Sequence, residues 1–218
     1  KERGFLLLMP TGTMRKMDQM MPHPAWNAAR VEDHMDDEKF IRSMLEDVKA
    51  RFAVDSGRIY VCGHSMGSAM TQRAALAMPD IFTAAASNSG VVTGGFMGDF
   101  DTPGVREDLP IPIWIQMGEN DVGGGTLENN PKAARTIRYW VSRYGLPEAD
   151  APFRWRSGRY LNQEWRTEKG VPMVRYTTTL EKPHAITPQD PWLYYDEFFS
   201  RFSKGEDGSL YFQGKEVK

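Results

Sequence analysis

Arg58-Ile59-Tyr60-Val61-Cys62-Gly63-His64-Ser65-Met66-Gly67 is the stretch on which the fold turns. Residues 58–62 read as a buried strand, and residues 68–78 read as a helix that Pro79 stops. Between them stands Gly63-His64-Ser65-Met66-Gly67, a G-x-S-x-G pattern in the one context where it is informative, after a strand and before a helix. A nucleophile on so tight a turn has strained backbone angles, and side chains two residues before and after it would collide with neighbouring backbone, which accounts for Gly63 and Gly67. The turn lifts the Ser65 oxygen clear of the sheet. The helix that follows directs its first N–H groups at the site, so the Met66 N–H is the expected donor to an oxyanion, with His64 beside it as the other oxyanion or substrate-binding candidate. A merely structural glycine turn is the plain alternative, and the flanking strand and helix speak against it.

A serine needs a base, and the base is usually histidine. The chain has four, His23, His34, His64 and His184. His64 adjoins Ser65, with its side chain pointing elsewhere on the turn, and only His184 follows Ser65 in the order serine, acid, histidine. His184 lies in Lys182-Pro183-His184-Ala185, past a strand, where a loop could hang it over Ser65. Ile113-Trp114-Ile115-Gln116-Met117 reads as a strand leading into Gly118-Glu119-Asn120-Asp121. Asp121 is then at a strand's C-terminal edge, where open α/β sheets place functional groups, and its task would be to fix the tautomer of His184. Glu119 is the first competitor and Asp190 the second.

Outward from this constellation, apolar strands alternate with amphipathic helices. Asp36 and Asp37 open a helix on which Phe40, Ile41, Met44, Leu45, Val48 and Phe52 recur at helical spacing. Residues 82–88 form a small-residue strand candidate, and residues 130–144 a helix with Pro131 in its first turn and Gly145 after its end. Residues 153–156 and 174–180 read as strands separated by antiparallel turns, and residues 191–202 as a last, aromatic helix. Gly4-Phe5-Leu6-Leu7-Leu8-Met9-Pro10 suits a strand buried on both faces. Residues 11–34 and 89–109 read as loop; in the first, Met14, Met17, Met20 and Met21 make either an adaptable apolar wall near the site or packing filler. The whole predicts one α/β domain over residues 1–218, with a mostly parallel sheet covered by helices on both faces.

Composition narrows the partners. The 218 residues carry 27 basic and 29 acidic side chains, a net charge of −2, so no basic excess points to nucleic acid. The apolar run at residues 5–9 is far short of the ~18 residues that suggest a membrane span. Cys62 stands alone, which excludes an internal disulfide framework and leaves the compartment open. His34 with Asp36, Asp37 and Glu38 has no recognisable metal spacing, and a solvated helix start explains it better. Neither a metal nor another cofactor is expected.

Gly4-Phe5, Trp26-Asn27, Asp36-Asp37, Phe40-Ile41, Arg58-Ile59-Tyr60, the elbow and Pro79-Asp80-Ile81-Phe82 together resemble the polyhydroxybutyrate depolymerase-like esterases. These include the feruloyl and acetylxylan esterases of carbohydrate esterase family 1. The resemblance covers roughly residues 3–200. It implies an α/β-hydrolase fold, a triad falling on Ser65, Asp121 and His184, ester substrates including polysaccharide-linked acetyl or feruloyl groups, and no metal. Two departures matter. Pro183-His184-Ala185-Ile186 replaces the family's Gly-His-x-Trp-Pro-like stretch. The His-Gly-Gly-type loop that supplies a second oxyanion donor is also missing. Either Thr11-Gly12 replaces it, or the N-terminal strands lie outside this chain, in an upstream segment or a second chain; the second reading is favoured. A serine esterase is thus the expectation, against a prolyl-oligopeptidase-type peptidase with the same triad and a non-catalytic hydrolase-like binding module.

Overall fold

The computed structural model describes residues 4–15, 22–32, 34–92, 99–100, 104–106, 108–147 and 152–217. Its centre is a six-stranded sheet built from β3 (Tyr60–His64), β4 (Ala84–Asn88), β5 (Ile113–Asn120), β6 (Phe153–Ser157), β7 (Tyr160–Arg166) and β8 (Pro172–Pro183). The spatial order is β3-β4-β5-β8-β7-β6. The first four strands run parallel, and β7 and β6 add antiparallel beyond β8. Two short strands, β1 (Thr13–Arg15) and β2 (His23–Ala25), pair with each other where a loop is expected. A small C-terminal sheet of β9 (Phe202–Lys204), β10 (Leu210–Phe212) and β11 (Lys215–Glu216) completes the topology.

The helices begin where the local chemistry sets them. Asp36 caps α1 (Asp37–Arg51) by accepting a hydrogen bond from the Lys39 N–H at 3.0 Å. Asn130 caps α3 (Pro131–Arg143) in the same way through Ala133, with Pro131 at the first helical position. Gly145, at φ 55°, follows its end. Side-chain alternation along the strands assigns the layers. Ser87 of β4 meets Ser68 and Gln72 of α2 (Met66–Ala77), and Gln72 accepts a hydrogen bond from Trp140 of α3, so these two helices share one face. Trp114 of β5 points the other way, edge-on to Tyr194 of α4 (Asp190–Glu197) and to Phe198. The sheet is therefore covered on both faces, as expected, and Trp114, Trp140, Tyr176 and Phe198 lie fully buried in the core.

Four expectations are corrected. Residues 5–9 form no strand; Leu7 is 66% and Met9 82% exposed. Apolar composition cannot make a strand without a ladder partner for the backbone, and this run pairs with none of the described strands; Phe5 instead sets its ring against Trp192 and Tyr195. The stretch read as turns before residue 172 contains all of β7. The aromatic helix stops at Glu197, because burying Phe198, Phe199 and Phe202 against different neighbours draws the chain through one 3-10 turn, Phe199–Arg201, into β9. Asp37 is not solvated: it is buried and accepts a hydrogen bond from the Asn27 backbone, while its neighbour Glu38 pairs with the buried Arg73 at 2.6 Å. Of the methionine-rich loop, Met14 is exposed in β1, whereas Met17, Met20 and Met21 lie outside the described residues. Parts of the glycine-rich stretch 89–109 lie outside them as well.

Candidate active site

Ser65 occupies the corner between β3 and α2 with φ 55° and ψ −116°, a region that non-glycine residues rarely enter. Neighbouring backbone holds it there. The Ser65 N–H donates to the Asn88 carbonyl of β4 at 2.9 Å, and the Ser65 carbonyl accepts from Ser68 and Ala69 of α2. The two elbow glycines differ in kind. A Cβ on Gly63 would stand 2.2 Å from the Gly67 carbonyl oxygen, whereas one on Gly67 would meet nothing within 4 Å. The steric argument for a glycine pair holds at the first position and fails at the second.

The C-terminal ends of β5 and β8 bring two more side chains to Ser65. His184 Nε2 is 2.9 Å from Ser65 Oγ, and His184 Nδ1 is 2.6 Å from Asp121 Oδ1. The Asp121 carboxylate is buried, while His184 is 39% exposed and so open to a ligand from one side. Burial alone would raise the Asp121 pKa. The Ser89 hydroxyl, the His184 hydrogen bond and charge, and the Val122 N–H at 2.7 Å outweigh it and hold the carboxyl below its ordinary value. Ser89 faces Asp121 short of full hydrogen-bond geometry, so Ser89 Oγ and Asp121 Oδ2 both remain buried without a well-formed partner. Met66 is the first residue of α2, where an N–H has no acceptor within its own helix and is free for an incoming oxygen.

Other sequence candidates fall elsewhere. Glu119 accepts a hydrogen bond from the Glu181 N–H at 2.9 Å and ties β8 to the end of β5. His23 lies in β2, and His34 in the turn before α1. His64 packs its ring 4.8 Å from that of His184. Burial first, then the charges of His184 and Lys182, lower the His64 pKa. Gly12 packs against the Ala25 carbonyl, and no hydrogen bond among the described residues joins residues 11–12 to Ser65.

Sequence reasoning missed what supports this corner. Asp190, considered only as a distant alternative acid, is buried at the start of α4 and gathers four donors. These are the Thr187 N–H at 2.8 Å, Gln116 Nε2 at 3.2 Å, Asn88 Nδ2 at 3.3 Å and Lys182 Nζ at 3.3 Å. Lys182 also donates to Asn88 Oδ1 at 2.9 Å, and the Tyr194 hydroxyl bridges Asn88 and Gln116. The segment carrying His184 is thus anchored at Lys182 on one side and Thr187 on the other. Lys182 and Asp190 eight residues apart gave no sequence signal, because either would pass for a surface charge.

Comparison with known proteins agrees with this architecture. A family model described as the prolyl oligopeptidase family matches residues 32–106, which span α1 and the elbow. Poly(3-hydroxyalkanoate) depolymerase C of Paucimonas lemoignei is 27% identical over 173 residues, covering 69% of this chain and 40% of that protein. Feruloyl esterase B of Piromyces equi is 34% identical over 86 residues, covering 39% of this chain and 15% of that protein. The chain therefore spans less than half the length of either relative. Among solved structures, an acetyl xylan esterase from Aspergillus awamori superimposes with a TM-score of 0.59 at 17% identity, covering 81% of this chain and 73% of the other.

Proposed function

We propose that this chain, which shares its fold with an acetyl xylan esterase and is similar over part of its length to a poly(3-hydroxyalkanoate) depolymerase and a feruloyl esterase, is a serine esterase with Ser65, His184 and Asp121 as its triad. The supporting observation is the pair of contacts on one imidazole, 2.9 Å to Ser65 Oγ and 2.6 Å to Asp121 Oδ1. Ser65 Oγ attacks the ester carbonyl as His184 Nε2 takes its proton. The Met66 N–H donates to the oxyanion. When the tetrahedral intermediate collapses, the C–O bond to the alcohol breaks and His184 returns the proton to the departing oxygen. Water, deprotonated by the same nitrogen, then attacks the acyl-enzyme and releases the acid. Asp121 keeps the Nδ1 proton in place and stabilises the imidazolium throughout.

Acetyl or feruloyl esters on plant polysaccharide are the proposed substrates, in keeping with the names of the relatives. Ser65→Ala should lower kcat on 4-nitrophenyl acetate by about 10⁴–10⁶-fold and abolish labelling by a fluorophosphonate. Undiminished turnover would overturn the proposal. A prolyl-oligopeptidase-type peptidase is the second reading, favoured by the match over residues 32–106. A panel pairing each ester with its peptide amide separates the two.

We also propose that a further polypeptide segment completes the sheet beside β3. That strand carries Ser65 at its end, is terminal in the sheet among the described residues, and leaves Cys62 exposed. An uncharged strand edge of this kind is normally paired or covered. The same segment would bring the second oxyanion donor. Hydrogen exchange at the Cys62 and His64 amides, which alternate with those that face β4, tests it: if this chain already protects them as strongly as β4, no partner is needed.

A further inference from the structure

At the opposite end of β8 from His184 the antiparallel hairpin of β6 and β7 forms a second concave surface. The nine residues from Arg175 to His184 put it roughly 30 Å from the triad at the rise of an extended strand. Phe153 and Trp155, alternate residues of β6, point to the same face with ring centres 5.5 Å apart, and Phe153 is 51% exposed. Together with Glu197 and Arg201 they line a groove of about 500 Å³. That volume falls within the ~300–1,000 Å³ usual for small-molecule sites.

The floor is charged and locked. Glu164 and Arg175 are buried there, with side chains 1% and 4% exposed, and meet at 2.5 Å. The other Glu164 oxygen is held by Arg166 at 2.6 Å, and Arg175 also reaches Glu197 at 3.3 Å. Both carboxylate oxygens of Glu164 are thereby committed, and the Arg166 and Arg175 guanidiniums lie over the Phe153 and Trp155 rings at 4.0 and 5.1 Å, each on one face of its ring. Arg201 makes no ion pair among the described residues. Three arginines against two glutamates leave the lining with one uncompensated positive charge. An aromatic wall beside a free guanidinium calls for a ligand that has an apolar ring face and a carboxylate on its rim. A pyranose meets the first condition, since its ring C–H groups pack on the electron-rich face of an indole or phenyl ring. A carboxylate at C6 meets the second, because it matches the planar guanidinium fork.

We propose that this groove binds an acidic sugar residue, a uronic acid within an oligosaccharide, with Trp155 as the platform and Arg201 as the carboxylate partner. The site is separate from the triad and does not depend on the esterase reading. Calorimetric titration of the Ser65→Ala protein with trigalacturonate and with its fully methyl-esterified form tests it, since that protein cannot hydrolyse the ester in the proposed chemistry. The acid should bind about tenfold or more tightly than the ester, and Arg201→Gln should remove that preference. Trp155→Ala should weaken binding of both forms, and Arg201→Lys should restore part of the preference. Thermal unfolding of each variant distinguishes a lost contact from a lost fold. Equal affinity for acid and ester, binding unchanged by Arg201→Gln in a folded protein, no binding at millimolar sugar, or equally tight binding of free ferulate would each overturn the proposal.

Discussion

A methyl group on Gly63 would lie 2.2 Å from the carbonyl oxygen of Gly67, while a methyl group on Gly67 would touch nothing within 4 Å. The two glycines of one motif therefore carry different physical demands. Gly63→Ala should destabilise the fold by about 3 kcal/mol or more, because the obstacle is backbone and cannot rotate away. Gly67→Ala, inside α2, should be neutral or should stabilise by up to about 1 kcal/mol through helix propensity. Urea denaturation of the two variants is the check, and a large loss at Gly67 would contradict the distinction.

Asp121 accepts from His184 Nδ1 within a buried pocket and is held ionised below the ordinary carboxylate range. Asp121→Asn keeps the shape but permits the wrong imidazole tautomer. In the proposed mechanism kcat on an activated acetyl ester should fall by about 10⁴-fold at neutral pH. Thermal unfolding run beside the kinetics tells a lost tautomer from a lost fold.

Lys182 and Asp190 form an ion pair whose side chains are each 1% exposed. Removing one partner strands the other charge, so Asp190→Ala should cost about 3–5 kcal/mol of stability. It should also loosen Thr187 and with it the segment that carries His184. Replacing both charges, by Lys182→Met with Asp190→Leu, should recover part of that loss. A double-mutant cycle by chemical denaturation measures the coupling, and additive losses would show that the pair does not act as a unit.

Lys204 gives a pH signature. Its ammonium is buried and donates to the carbonyls of Pro79 and Phe82, and burial pulls its pKa down to about 8 from the ordinary 10.5. Between those values the unfolded chain holds a proton that the native chain has released. The contribution of Lys204 to stability is therefore unfavourable below pH 8 and improves as pH rises toward 10.5, by up to about 3 kcal/mol. Lys204→Met should remove this slope. Denaturation curves for both proteins at pH 7 and pH 10 give the difference, and parallel pH dependences would refute the assignment.

Much of this architecture is legible along the chain because its signals are local. Asp36 and Asn130 announce their helices through hydrogen bonds only three residues long. The elbow is legible for the same reason, since a strand, a strained corner and a helix are consecutive. The run at residues 5–9 misled because apolar composition reports a wish for burial and not the presence of a strand beside it. β7 was missed because its alternation is carried by Asn162 and Glu164, polar residues buried by partners on β8.

The sequence by itself determined the elbow, the capped helices and the residue types on offer: a serine at a sharp corner, one histidine after it, and acids at a strand's end. Tertiary structure alone decided which acid stands 2.6 Å from His184, gave Asp190 the anchoring of that segment, and set Glu164 under an aromatic groove at the far end of the sheet. The reason is range. Capping and periodicity act over a few residues and leave their mark on neighbours in the chain. A hydrogen bond between residues 63 or 119 positions apart exists only once parallel strands have aligned their C-terminal ends.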